Sequence, residues 1–243
     1  MFTDDPAPII SALRARFATV GEGYGERERR LVELAAQTRA LLQEVASTST
    51  DPATIAAATV LVEQAAELLQ AGPHDRAYFG VAEGSLGGAP TTTFFDYSPF
   101  VGPLSPLAPP IVPQLIDDRV VARVVYERQY EGPPGCLHGG LIAAGFDEVL
   151  GFAQTLSGAP GMTGRLEVTY RSPTPLFEEV VYAGRLDRVD GRKIYTSGTL
   201  HAGDRLCAEA TGLFISLRQW IGLHADAPAP APPVDPENRH WLS

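Results

Sequence analysis

Residues 137–156, LHGGLIAAGFDEVLGFAQTL, have the length of a helix and are apolar nearly all round, with Gly145 and Gly151 in the interior. Each interior glycine costs roughly 1 kcal/mol of helix propensity relative to Ala. A helix of this kind owes its stability to burial and to the close approach of a neighbour, not to its own sequence. The rest of the chain has to supply that neighbour.

The neighbour lies on both sides in sequence. Residues 119–130 (RVVARVVYERQY) set Val120, Ala122, Val124 and Tyr126 on one face, with Arg123, Glu127 and Gln129 among those on the other. Residues 163–171 alternate again through Leu166, Val168 and Tyr170. Residues 178–189 and 192–202 flank Asp190-Gly191, a strong two-residue hairpin signal. Gly203-Asp204 then turns the chain into a last strand over 205–217. The spacing predicts five strands, the last three joined by short turns into an antiparallel meander. One buried helix against one curved antiparallel sheet is an α+β layer architecture.

Upstream, residues 27–46 place Leu31, Leu34, Thr38, Leu41, Leu42 and Val45 at helical spacing. Asp51-Pro52 reads as an N-cap followed by Pro at the first helical position. Ile55, Ala58, Val62, Ala65, Leu68 and Leu69 continue an apolar stripe that Gly72-Pro73 stops. Two amphipathic helices, with a third candidate over 7–18, make an N-terminal extension. Its stripe is read as a face that packs on the main domain or on its own hairpin; the alternative is a partner-binding surface. The expected division is a helical extension over 1–74, the main domain over 75–219 and a Pro/Ala-rich tail over 220–243, the last a surface strap.

Charge and cysteine usage narrow the class. Lys+Arg number 19 against 29 Asp+Glu, a net charge of −10, which argues against nucleic acid or an anionic membrane as the main partner. No run approaches the ~20 uninterrupted apolar residues of a membrane helix, and the acidic start MFTDDPAPII is unlike a signal peptide. Cys136 and Cys207 alone give neither a disulfide framework nor a cysteine metal site, and the five His are scattered without metal spacing. There is no G-x-S-x-G elbow and no phosphate loop. The expectation is a cytoplasmic enzyme or binding protein with no cofactor and no metal.

The predicted central helix carries the candidate chemistry. Asp147 and Glu148 are its acids, and carboxylates are rarely buried without a partner or a task. Adjacent helix positions diverge by about 100°, so one of the two points towards the sheet or a cleft, or both sit on an exposed stripe. His138-Gly139-Gly140 stands at the helix start, where unpaired N–H groups gather at the positive end of the dipole. Glycine there lets a substrate carbonyl come close enough to be polarised by those amides; an ordinary helix entry turn is the plainer alternative. Gly139 and Asp147 are eight residues apart, about 12 Å along the axis. A reacting carbonyl has to touch both at about 3 Å. Two copies of the helix packed antiparallel can do this, so joint catalysis by both residues requires a dimer with two composite sites. Cys136, two residues before His138, is read as packing and not as a nucleophile.

These residues resemble the hotdog-fold acyl-CoA thioesterases, in particular their PaaI-like, phenylacetic-acid-pathway branch. The resemblance covers about 95–217 and rests on SPFVGPLSPLAPP (98–110), YEGPPGCLHGGLIAAGFDEVLG (130–151), MTGRLEVTYRSPTPL (162–176), VDGRKIY (189–195) and AEATGLFI (208–215). It implies a hotdog fold, a long central helix wrapped by a curved antiparallel sheet of five or more strands, to which this chain adds its helical extension. It implies Gly139 as the carbonyl-polarising amide and His138 as the residue that orients the thioester. It implies Asp147 as the carboxylate that activates water or attacks directly, and Thr163 as the hydroxyl that places water or substrate. Glu148 is a second carboxylate of a kind that some hotdog thioesterases use, and it joins Gly140 among the substrate-binding candidates. Such sites lie across a dimer interface, which implies a homodimer, alone or as a dimer of dimers.

Coenzyme A is polyanionic, and local charge has to meet it. Arg171 follows a strand and Arg192-Lys193 sits beside the Asp190-Gly191 turn; these are candidates for phosphate contacts or for solvated strand ends. Phe94, Phe95, Tyr97, Phe100, Phe146 and Phe152 are candidates for an acyl pocket or for plain core. Three readings follow: an acyl-CoA thioesterase, a non-catalytic acyl-CoA-binding module that signals through its helices, and a hotdog enoyl-CoA hydratase. Asp147, Gly139 and Thr163 together favour hydrolysis, because a pure binder needs no carboxylate beside an anionic ligand.

Overall fold

The fold is set by one helix lying across one sheet. The computed structural model describes residues 24–73, 96–159 and 161–216. In chain order these form α1 (Glu26–Ser47), α2 (Pro52–Gln70), β1 (Val112–Ile116), β2 (Arg119–Val125), a 3₁₀ turn (Arg128–Tyr130), α3 (Gly139–Thr155), β3 (Gly161–Tyr170), β4 (Glu179–Asp190), β5 (Lys193–Ala202) and β6 (Arg205–Ser216). The strands build one antiparallel sheet in the order β1-β2-β4-β5-β6-β3. Helix α3 packs on one face of that sheet and touches β2 to β6. This is the expected α+β hotdog architecture with a helical extension before it.

The core sits between α3 and the strands. Phe146, Val149 and Leu150 from the helix and Val120, Tyr182, Ile194, Leu200 and Phe214 from the sheet are fully or almost fully buried. Phe146 meets Tyr182 edge-on with ring centroids 5.2 Å apart, the geometry that aromatic quadrupoles favour. The interior glycines of the helix differ in purpose. A Cβ on Gly145 would stand 2.5 Å from the Tyr182 hydroxyl, so the helix can seat there only with glycine. From the sheet side, Cβ atoms on Gly184 and Gly198 would press to 2.9 Å and 3.1 Å on Val149 and Leu150.

Two details depart from the sequence expectation. Strand β2 ends at Val125, and the chain beyond it turns through the 3₁₀ segment while Tyr126 and Tyr130 remain core residues. The sheet has a sixth strand, β1, whose short run VPQLI carries Pro113. Proline is tolerated there because β1 is an edge, where a missing N–H costs no ladder bond. Its hairpin to β2 uses Asp117-Asp118, with Asp117 at φ +53°, a conformation that aspartate adopts more readily than most residues. The Asp190-Gly191 signal does mark the β4–β5 hairpin, but the turn lies one residue later than expected, at Gly191-Arg192: Asp190 is the last residue of β4 and pairs with Lys193, and Gly191 takes φ +56°.

In the extension, Asp51 caps α2 as expected, accepting from the Ala53 and Thr54 N–H groups at 2.9 and 3.1 Å and from the Thr54 hydroxyl at 2.7 Å. Those bonds hold its carboxyl below the usual range. Helix α1 docks on the domain: Ala35 is buried, Arg39 donates to the Ser105 carbonyl at 2.8 Å, and the Gln43 side chain accepts from the Arg128 N–H at 2.7 Å. Helix α2 does not follow. None of its residues is buried, and Leu61, Leu68 and Leu69 are more than half exposed. Among the described residues it is the one helix long and apolar enough to cross a membrane, with Glu63 and Glu67 in its span. The candidate helix over 7–18, Phe94, Phe95 and the tail over 220–243 lie outside the described residues.

Candidate active site

The first turn of α3 leaves one amide open. His138 is its N-cap, in extended backbone, and His138 Nδ1 accepts from the Gly140 N–H at 3.0 Å. An accepting Nδ1 puts the proton of the neutral ring on Nε2. His138 is itself anchored by its N–H to the Tyr130 carbonyl at 3.0 Å. Gly139 is the first helical residue, so its N–H has no partner within the helix, and no other acceptor meets it among the described residues. The nearest neighbours of a Cβ at Gly139 would be the Tyr170 hydroxyl and ring, at ordinary contact distances of 3.5–3.6 Å. Unlike Gly145, this glycine is not required by its own chain.

Two turns along the same helix stands Asp147. It is exposed in the single chain, and its Oδ1 accepts from the Thr163 hydroxyl of β3 at 2.7 Å. The structure thus brings together Asp147 and Thr163, two of the residues that the resemblance singles out. The apolar surroundings of the helix do not bury Asp147, because its carboxylate points off the helix flank towards β3 at the sheet edge. Glu148 faces the other way and is half-buried, with Oε1 accepting from the Ser98 hydroxyl at 2.7 Å. Burial pushes its carboxyl up, against the Ser98 bond that pulls it down.

Gly139 stands at the start of α3 and Asp147 at its middle, about 12 Å along the axis, so no single carbonyl within one chain reaches both. Tyr170, at the far end of β3, donates its hydroxyl to the Gly139 carbonyl at 2.9 Å. Sequence reasoning gives Tyr170 no role at the site; its place in the Tyr-Arg-x-Pro segment is the one available signal. Arg171 beside it pairs with Glu209, its Nε at 3.1 Å from the carboxylate. Arg192 reaches the Ser216 carbonyl at 3.4 Å, and Lys193 forms no ion pair among the described residues. These cations lie at opposite ends of the sheet: Tyr170 pairs with Ala208, whereas Lys193 pairs with Ile215 beside Met162. Phe146 and Phe152 are buried core. Cys136 is half-buried beside the helix entry.

An open groove of about 660 Å³ lies on the sheet face turned away from α3, lined by Arg119, Arg185, Ser197, Thr211 and Glu167. None of His138, Gly139, Asp147 or Thr163 borders it, so it is separate from this site.

Comparison with known proteins places the same segment. The family model described as Thioesterase superfamily matches residues 134–209, which run from the approach to α3 into β6. A crystal structure of a thioesterase superfamily protein superposes with a TM-score of 0.65 at 32% identity, over 79% of this chain and 96% of that one. That coverage is more than residues 75–243 alone can supply, so part of the N-terminal extension is shared with that relative. The acyl-coenzyme A thioesterase THEM4 of Mus musculus is 36% identical over 104 residues, 42% of this chain and 45% of its own length. THEM4 of Bos taurus is 40% identical over 89 residues, 36% of either chain. The chain spans less than half the length of these two curated relatives.

Proposed function

This chain belongs to the thioesterase superfamily, and on that footing we propose that it hydrolyses acyl-CoA thioesters at two composite sites of a homodimer, in the manner of the PaaI-like branch. The observation that carries the reading is the division of labour along α3: an open Gly139 N–H at its start and an Asp147 carboxylate fixed by Thr163 two turns on.

In each site the thioester oxygen accepts from the Gly139 N–H, at the positive end of the α3 dipole, which draws electron density from the carbonyl carbon. The His138 ring, fixed as N-cap, presents Nε2–H beside it. Asp147 of the partner subunit takes a proton from water through Oδ2, the oxygen that Thr163 leaves free, as the water oxygen bonds to the carbonyl carbon. The tetrahedral intermediate collapses with cleavage of the C–S bond, the coenzyme A thiolate leaves, and the proton held by Asp147 returns to the sulfur. The products are the free acid and the thiol, with one water consumed. The second copy also covers the open flank on which Asp147 lies, which supplies the desolvation that a useful base needs. Antiparallel apposition brings Arg171 of one protomer towards the end of the sheet that carries the partner's Arg192 and Lys193, a basic rim for the coenzyme A phosphates. Gly140 and Glu148 complete the site as supports of the helix entry and of the 98–101 turn on the opposite flank of α3.

Thiol release from short, aromatic, medium and long acyl-CoAs tests the reading, with wild type beside Asp147→Ala. Turnover of at least one substrate that Asp147→Ala abolishes while staying a folded dimer is the expected result. Tight acyl-CoA binding with no turnover of any member makes the protein a binding module instead.

A further inference from the structure

Helix α1 meets the domain chiefly at the 3₁₀ turn over Arg128–Tyr130, and that turn leads straight into the approach to α3. Ala35, Arg39 and Gln43 follow at intervals of four, so they share one face of α1. Ala35 is buried, and Arg39 donates to the Ser105 carbonyl. Gln43 Oε1 accepts from the Arg128 N–H at 2.7 Å. A backbone N–H takes only an acceptor, so it fixes which end of the Gln43 amide faces the turn.

That turn grips the helix entry. The Tyr130 carbonyl accepts from the N–H of His138, the N-cap of α3, at 3.0 Å. Glu131 bridges Leu137, and the Gly132 N–H donates to the Cys136 carbonyl at 2.9 Å. The Glu131 carboxylate closes the loop between them: Oε1 accepts from the Gly135 N–H at 2.6 Å, and Oε2 lies 3.0 Å from the Arg128 guanidinium. Gly132 is pressed against the cap, because a Cβ there would stand 2.8 Å from His138 Cα. Between Gln43 and the open amide stand the Arg128–Tyr130 turn, its hydrogen bond to His138 and the His138–Gly139 peptide.

The Gly139 N–H lies in the plane of the His138–Gly139 peptide, so the hold on His138 sets its direction. A preorganised donor lowers a barrier only when it is aimed at the atom where charge develops. Resting on the thioesterase reading, we propose that α1 serves the chemistry of the site: Gln43 is a positioning residue that aims the Gly139 N–H through the 128–131 turn. Glu131 braces the loop that carries this hold to the N-cap. The extension thus acts on the reaction as well as on the stability of the fold.

Gln43→Leu removes the acceptor, keeps most of the bulk and leaves the Ala35 and Arg39 contacts in place. For acyl-CoA hydrolysis kcat is expected to fall about three- to tenfold with KM unchanged. Gln43→Glu keeps an acceptor at the same reach and restores most of the rate. Equal losses in the two variants, or an unchanged kcat in Gln43→Leu, overturn the positioning role. In a Gly139→Pro background the amide is gone, so adding Gln43→Leu is expected to cost nothing more; losses that multiply show that Gln43 does not act through that amide. The coupling is also read without turnover, by NMR of protein carrying isotope-labelled glycine. The Gly135, Gly139 and Gly140 amide resonances are expected to shift in Gln43→Leu and to return in Gln43→Glu, and unmoved resonances overturn the coupling whatever the activity. A wild type that hydrolyses no acyl-CoA removes the thioesterase reading, while the glycine resonances still decide whether α1 sets the entry to α3.

Discussion

Ser98 donates its hydroxyl to Glu148 Oε1 at 2.7 Å, and the Ser98 hydroxyl oxygen in turn accepts from the Phe100 and Val101 N–H groups at 3.2 and 3.4 Å. One carboxylate of α3 therefore pins the 98–101 turn against the helix, while its neighbour Asp147 is held by β3 on the other flank. Two adjacent acids divide because successive helix positions diverge by about 100°. Glu148 supports a loop and Asp147 faces the sheet edge.

The pH dependence of stability follows from that division. Burial raises the Glu148 carboxyl in the folded chain, whereas in the unfolded chain it titrates in the ordinary range. Between the two values the folded state binds more protons, so this group makes stability fall as pH rises from the ordinary glutamate range up through the raised value. Glu148→Gln keeps an acceptor for Ser98 and removes the titration. In urea unfolding, Glu148→Gln is expected to gain on wild type as pH rises through that window, with the gap closing at acid pH. A pH-independent gap means that Glu148 is not penalised by burial.

Thr163 should behave as a hydroxyl and not as a β-branched side chain. Its position is exposed in the protomer, and its bond to Asp147 is the contact that matters. Thr163→Val keeps the shape and strand preference, and is expected to lower kcat about tenfold or more. Thr163→Ser restores the bond and most of the rate. Thermal midpoints measured alongside should change little, as for surface substitutions in general; equal loss in both variants ties the effect to packing.

What the sequence disclosed depends on whether a feature leaves a local mark. Asp51-Pro52, Asp190-Gly191 and the all-round apolar run of α3 do, and all three elements are present, the hairpin turn one residue later than its signal. Strand β1 does not, because five residues with Pro113 are too few for an alternation to show, and its turn is Asp-Asp where Asn-Gly or Asp-Gly would have been recognised. The bonds Ser98–Glu148 and Tyr170–Gly139 join positions 50 and 31 residues apart, and nothing local encodes such pairs. The stripe on α2 reports that a face favours cover; it cannot report that α1 docks and α2 does not.

The interior glycines of α3 predict opposite signs for one substitution. At Gly145 a Cβ would stand 2.5 Å from the Tyr182 hydroxyl and 2.6 Å from its Cζ, so Gly145→Ala is expected to destabilise by about 1–3 kcal/mol through overpacking. At Gly151 the nearest atom is Phe214 Cε1 at 3.9 Å, ordinary contact, so Gly151→Ala keeps the packing and gains up to roughly 1 kcal/mol of helix propensity. Denaturant midpoints of the two variants on either side of wild type confirm the account. A gain in both variants shows that the helix moves to accommodate Gly145→Ala, and a loss in both overturns the account of Gly151.

The sharpest prediction concerns the open amide. Gly139 is the first residue of α3, a position that favours proline because its N–H has no helical partner. His138 before it has φ −63° and ψ 132°, the extended geometry that a following proline demands. Gly139→Pro therefore deletes the N–H without breaking the helix, and the loss of unfolded-state freedom is expected to raise stability by about 0.4–1 kcal/mol. If the amide polarises the thioester, kcat falls about 100-fold or more, as for loss of one preorganised donor. Gly139→Ala keeps the N–H and adds only a Cβ, so it separates the donor from the bulk: a variant pair with equal losses assigns the effect to crowding at the carbonyl. A Gly139→Pro enzyme that is more stable and far slower, beside a Gly139→Ala enzyme that keeps most of its rate, assigns it to the hydrogen bond. Full activity in Gly139→Pro would remove Gly139 from the chemistry and leave Asp147 without its partner in the composite site.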